Sequence, residues 1–294
     1  MVNLDAASDF MAAHARLLDR RRFDVVARGA PPEAALAALE AYRNPDGGYS
    51  WGLEPDLRDT RSQPGPSLHA FEVFEDIAPA TTPRAAELCS WLETVTLPDG
   101  GLPFALPVGS SAGCAPFWAS ADPAESSLQI TAIVSAMGHR VAAHDPAVAE
   151  HPWLKRATDN CLATIESEGE RVEPMALAFA FQLLDAAHSS RPETDALVDK
   201  LGERIPPEGM IHVSGGLPDE YMRPLDFAPL PGGPARRLFN REVIAAELER
   251  LAGQQQEDGG WHVDFASYSP AAELEWRGHI TVKTLSLLKR NGRL

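Results

Sequence analysis

Cysteine is scarce in this chain: Cys89, Cys114 and Cys161 are the only three among 294 residues. An odd set with no Cys-x-x-Cys spacing speaks against a disulfide framework and reads as reduced thiols. Positive charge is short as well. Lysine and arginine total 26 against 42 aspartate and glutamate, a formal charge of −16. That balance argues against nucleic acid, whose phosphates need basic neutralisation, and against an anionic membrane surface. Long apolar runs are missing too. The longest, Met175 to Phe181, is far too short to cross a bilayer, so no membrane insertion is expected. Met1 to Arg22 carries both charge signs and no apolar h-region, so no signal peptide is expected and the protein reads as cytoplasmic. Ser110-Ser111 lacks the Gly-x-Ser-x-Gly context of a strained nucleophile turn.

What the chain does have is a recurring turn. Asp46-Gly47-Gly48-Tyr49, Asp99-Gly100-Gly101-Leu102 and Asp258-Gly259-Gly260-Trp261 share one pattern, and Pro207-Glu208-Gly209-Met210 is a degenerate copy. The first two lie 53 residues apart and the third follows 159 later, three times 53. A period of this size marks a stack of one supersecondary unit. Paired glycines permit positive φ and a tight reversal after a helix, while the Asp can accept from nearby backbone N–H groups. No strand precedes them and no helix follows at once, as a phosphate-binding loop would require.

Each turn sits between two helical patterns. The leading helices carry charge, as in Arg241 to Arg250; some following ones are apolar nearly all round, notably Pro174 to Phe181. A helix apolar on every side must be buried on every side. The expected fold is therefore all-α: a single α/α toroid over 1–294, with about five outer/inner helix pairs. A further N-terminal helix, within 1–30, packs on or closes the ring. The run 215–234 holds too many prolines for a helix and is expected to be an irregular insertion lining or plugging the cavity.

Gln254-Gln255-Gln256-Glu257-Asp258-Gly259-Gly260-Trp261 resembles the Gln-Trp repeat of squalene–hopene cyclases, and the two earlier turns are weaker versions of it. The chain thus resembles the superfamily of terpenoid cyclases and protein prenyltransferase β subunits, which implies an α/α toroid around a central cavity. Those cyclases protonate their substrate with the central Asp of Asp-x-Asp-Asp. The nearest string here, Asp56-Leu57-Arg58-Asp59, has Arg58 at that place, which cannot act as a carboxylic acid. The zinc pattern of prenyltransferases is matched in spelling by Asp159-Asn160-Cys161 with His279, but Asp159 and Cys161 fall on an outer helix; no metal and no cofactor are expected. The aspartate-rich diphosphate motif of class I terpene synthases has no match.

If all inner helices run one way, the residues just before them gather at one rim. The densest charged string there is Trp51-Gly52-Leu53-Glu54-Pro55-Asp56-Leu57-Arg58-Asp59-Thr60-Arg61. Carboxylates and arginines this close can split their pKa values and so supply an acid beside a carboxylate that stays ionised. They can equally form a plain ion-pair network. The candidate acids are Glu54, Asp56 and Asp59, with Asp122 in support. Candidate substrate contacts are Trp51, Arg58, Arg61, Trp118, Tyr221, Arg223, Asp226, Trp276, Arg277 and His279, the tryptophans offering cation–π contact to cationic intermediates.

Two functions fit. One is a terpenoid-cyclase-like enzyme, of the isomerase or lyase type, acting on an apolar or polyene-like small molecule by carboxylic-acid protonation. The other is a ligand-binding or scaffold toroid that has lost the acid motif. Squalene–hopene cyclases carry two such domains, so a lone toroid implies a smaller cavity, or one completed by a homodimer or partner subunit.

Overall fold

The computed structural model describes residues 2–294, the side chain of Glu170 excepted. Its long helices are α1 (Leu4–His14), α2 (Leu17–Arg28), α3 (Glu33–Leu39), α4 (Pro64–Asp76), α5 (Pro83–Val95), α7 (Leu128–Ala142), α9 (Pro152–Glu168), α10 (Pro174–Ala187), α11 (Thr194–Gly202), α13 (Arg241–Gly253) and α14 (Pro270–Arg290). Single-turn helices α6 (Pro116–Ala119), α8 (Pro146–Ala149) and α12 (Pro224–Phe227) lie between them. Among the described residues the only strands are β1 (Ile211–His212) and β2 (Tyr221–Met222), an antiparallel pair.

Starts are set locally. Proline opens α4, α5, α9, α10 and α14, where its missing N–H would have been unsatisfied in any case. Ser127, Asn240 and Ser269 cap α7, α13 and α14 through their side-chain oxygens.

Packing sorts the helices into two layers. α14, α2, α4, α7 and α10 stand side by side in that order, and α12 follows α10 where another inner helix is due. α7 buries every residue from Ile130 to Gly138, as an inner element must. Outside them, α1 covers α2 and α14, α3 covers α2 and α4, α9 covers α7 and α10, and α13 packs on α12 and α14. The all-α toroid expected from the repeat is present. The N-terminus contributes a complete pair, α1 outside and α2 inside, and not one extra helix: Arg16 breaks the run at residue 15–16 with extended backbone.

The three Asp-Gly-Gly turns are superimposable in their chemistry. Asp46, Asp99 and Asp258 each accept the N–H of the second glycine at 3.0 Å, and the first glycine has φ of +96°, +96° and +93°. The second glycine admits a neighbour: a Cβ on Gly260 would lie 2.8 Å from the ring of Phe10. Trp261 is buried and donates its indole N–H to Leu251 O at 2.8 Å.

The proline-rich run is more ordered than its composition suggests. Its backbone forms β2 and α12, Phe227 is fully buried against Phe181 and Phe239, and Gln182 of α10 donates to Asp226 O at 2.9 Å. It fills the place of an inner helix by packing three aromatic rings.

Candidate active site

Three connections meet above the N-termini of α4 and α14. The 49–63 loop is tied to the 97–127 loop by Ala115 N–H donating to Asp56 O at 2.8 Å and by a bridge between Leu57 and Cys114. It is tied to the 254–269 connection by Tyr268 N–H, which donates to Asp56 Oδ1 at 3.1 Å. Trp276 on α14 donates its indole N–H to Asp56 Oδ2 at 2.7 Å. Asp56 is thus the point where the three loops cross.

Burial raises the Asp56 pKa, and the Trp276 and Tyr268 N–H groups only partly offset it. Its two donors each lead into further aromatic rings. Trp276 stands edge-on to Phe265 at 5.1 Å, and Tyr268 meets Phe117, which continues to Trp118 and Phe104. Phe117 and Tyr268 are exposed while Trp118 is buried over Gly65.

Below Trp276 lies a buried charged cluster. Glu54 accepts from Asp56 N–H at 3.1 Å and pairs with His69 Nε2 at 3.0 Å. His69 Nδ1 meets Glu72 at 3.1 Å. Burial works against a charged His69, but Glu54 and Glu72 outweigh it and push its pKa up to about 9. Arg22 of α2 reaches Glu72 at 3.3 Å, Asp76 at 2.7 Å and His279 Nδ1 at 3.3 Å. Burial, which Glu72 only partly offsets, holds His279 well below its ordinary value; the imidazole is neutral and its Nδ1 accepts from Arg22. Trp276 stands edge-on to both histidines, 5.7 and 5.5 Å between centroids.

Glu54, Asp56, Trp276 and His279 therefore share one cluster. The other candidates are elsewhere. Asp59 is buried but engaged: its oxygens accept from the N–H groups of Thr60, Arg61 and Gly109 and from Gln63, and those bonds overcome burial and hold its pKa down. It fixes the loop. Asp122 is exposed and accepts from Ala124 N–H, a local turn contact. Arg58 pairs with Glu275 at 2.5 Å, and Arg61 donates to Pro107 O. Arg277 pairs with Asp258 of the third turn and covers Phe10, which points it away from Asp56. Tyr221 stacks edge-on with His212, Arg223 reaches Met210, and Asp226 caps Arg223 N–H, all within the segment that packs on α10. Trp51 is half-exposed at the rim with φ of +58°, a left-handed backbone that a bulky residue adopts at a cost.

His69, Arg22, Glu72, Asp76, Phe265 and Tyr268 are absent from the candidates that the sequence suggests. One signal was available: His69 and Glu72 are three apart on α4, a helix that otherwise buries Ala70, Phe71, Val73 and Phe74. Asp159 and Cys161 stay apart from His279: Asp159 pairs with Lys155 and Arg191 on the outer surface, and Cys161 is buried in α9.

Neither a protein-family model nor a curated protein matches this sequence. Solved structures do. The type II terpene cyclase MstE from Scytonema matches in its apo form with a TM-score of 0.56 at 15% identity, over 99% of this chain and 98% of that one. An MstE variant in complex with geranylgeranyl dihydroxybenzoate, its substrate, gives 0.56 at 15% identity over 99% and 97%. Another, with merosterolic acid A, its product, gives 0.57 at 14% identity over 99% and 96%. The fold is that of the type II terpene cyclases. At this identity the likeness speaks to the fold alone; the Asp56 cluster lies at the N-terminal ends of α4 and α14. Among the described residues no helix is long and apolar enough to cross a membrane.

Proposed function

We propose that this chain is a terpenoid-cyclase-like enzyme that protonates an apolar, polyene-like small molecule, with Asp56 as the acid. The observation that supports this reading best is the state of Asp56. Burial favours the protonated carboxyl, yet two N–H donors already point at its oxygens. Such a group gives up its proton less readily than an exposed carboxyl, and the charge left behind when the proton goes falls on preorganised donors. The step balances as an isomerisation: one alkene's π pair takes the proton from Asp56 and a C–H bond forms, the carbocation is captured by a second π bond to close a ring, and the ring cation then loses a proton from an adjacent carbon to water. Trp276, Phe265, Tyr268 and Phe117 present π faces and edges where that cation would form. Glu54, which accepts from Asp56 N–H and meets His69, adds to the rise in the Asp56 pKa that burial begins. Asp59 holds the loop in this geometry.

The alternative, a binding or scaffold toroid, rests on Arg58, which stands where the related motif has its acid and is paired with Glu275. The two readings separate in one experiment. The protein is incubated in D₂O with polyprenyl arenes and free polyprenols of several chain lengths, and products are read by mass spectrometry. An enzyme yields cyclised isomers carrying one deuterium, and Asp56→Asn lowers kcat by at least about 10²-fold with KM little changed. Ligand binding without any isomer, or equal turnover by Asp56→Asn, would remove the acid role.

A further inference from the structure

We propose that His69, Glu72 and His279 bind one divalent transition-metal ion of the zinc class, at the seam where α4 meets α14. The proposal concerns the layer beneath Asp56 and does not depend on the protonation reading. One ligand atom from each residue lies within 4.8 Å of the other two. His69 Nδ1 to Glu72 Oε2 is 3.1 Å and Glu72 Oε2 to His279 Nδ1 is 3.6 Å. Ligands about 2.1 Å from a tetrahedral ion stand roughly 3.4 Å from one another, so the two spacings to Glu72 need little adjustment and the two imidazoles, within 4.8 Å, would draw together around the ion. The chemistry of the set, two imidazoles and one carboxylate, is that of a three-ligand zinc site with a position left for water.

The surroundings supply what such a ligand set needs. Glu54 accepts from His69 Nε2 at 3.0 Å, which fixes the ring and leaves Nδ1 as the metal-facing nitrogen. His69 and His279 stand edge-on at 4.8 Å between centroids, so neither blocks the other. Both histidine side chains are almost fully buried, and Trp276 shields them from the rim. Charge also favours an ion. Glu54, Glu72 and Asp76 bring three carboxylates against Arg22 and His69, and an ion on His69 Nδ1 would displace a proton from that imidazole and take over its charge in a buried place. Arg22 is the competitor: its Nη1 lies 3.3 Å from both Glu72 Oε2 and His279 Nδ1. Its Nε is held separately by Asp76 at 2.7 Å, so the planar guanidinium must swing as one body about that pair for Nη1 to clear the site.

The test uses the full-length protein, stripped with a chelator and titrated with Co²⁺ and then Zn²⁺. Uptake of one equivalent of Co²⁺, with the visible bands of a four-coordinate site, is expected. Both His279→Gln and Glu72→Gln should lose the bands, with far-UV circular dichroism confirming that they fold. His212→Ala and His262→Ala, at exposed histidines, should keep them. Arg22→Gln is the decisive variant: with the competing cation gone, Co²⁺ should bind about tenfold more tightly. An ion-pair network with no metal role predicts the reverse, an Arg22→Gln protein that is merely less stable and still takes up no ion. Absence of stoichiometric uptake by both native protein and Arg22→Gln overturns the proposal. So does uptake that His279→Gln and Glu72→Gln leave unchanged.

Discussion

Two residues show how the same fold sets carboxyl groups against burial in different ways. Trp276 gives Asp56 a hydrogen bond from its ring edge and packs against Phe265. Trp276→Phe keeps the ring and removes the N–H; in the proposed enzyme kcat should fall about 10²-fold with KM nearly unchanged. Loss of KM alone would mean that the indole only binds. Asp185 is buried on α10 with one oxygen on Ala235 N–H at 2.7 Å and the other unpartnered. Burial, against that N–H and nearby arginines, raises its pKa from 3.8 to about 6. The folded state therefore holds this proton more tightly than the unfolded chain. Its contribution is full below pH 4 and is lost as pH rises through 6, a change of about 2–3 kcal/mol. Asp185→Asn should flatten this slope and gain stability relative to the native protein at pH 7.5 but not at pH 4. Urea unfolding at the two values checks it, and an equal offset at both would refute it. Neither residue's state could be read from the sequence, because burial and partner geometry both come from distant segments.

At the scale of elements, the turns were the most legible feature of the chain. Asp, Gly, Gly and an apolar residue each have a local reason to occupy their places, and local reasons survive in sequence. Positive φ does not by itself make every glycine equally necessary, as Gly259 of the third turn and Gly292, just beyond α14, show. Gly259 combines φ of +93° with a Cβ position only 2.0 Å from Ala6 O, whereas Gly292 has φ of +67° and nothing within 4 Å. Gly259→Ala should therefore cost more than about 3 kcal/mol and Gly292→Ala about 1 kcal/mol. Thermal melts of the pair decide whether the approach of α1, and not the dihedral alone, makes glycine necessary. The run 215–234 was less legible. Proline excluded a long helix correctly, but α12 and the aromatic packing of Phe227 on Phe181 depend on a partner forty-six residues away.

For the whole molecule, closure is the controlling fact. α2 lies between α14 and α4, and the last helix is tied back to the first pair by Lys289 donating to Val26 O at 2.7 Å. Phe10 and Met11 of α1 share a core cluster with Trp261, Val282 and Leu285 near the other end of the chain. Phe10→Ala should cost about 3–5 kcal/mol, a large part of the 5–15 kcal/mol typical of a domain. Because the ring is closed, the loss should move one common transition, seen alike by circular dichroism and tryptophan fluorescence. Separate transitions for the two ends would show that the seam is not cooperative.

Repetition and periodicity by themselves determined the all-α toroid, since helix polarity and turn chemistry are short-range properties written every few residues. They also marked Glu54 and Asp56, which lie in one charged string. Only the tertiary structure decided what those carboxyls face. Asp56 meets Trp276 across 220 positions of chain, and Arg22, His69 and His279 converge from three helices. Convergence of that kind is a consequence of ring closure, and closure leaves no local signature in the order of residues.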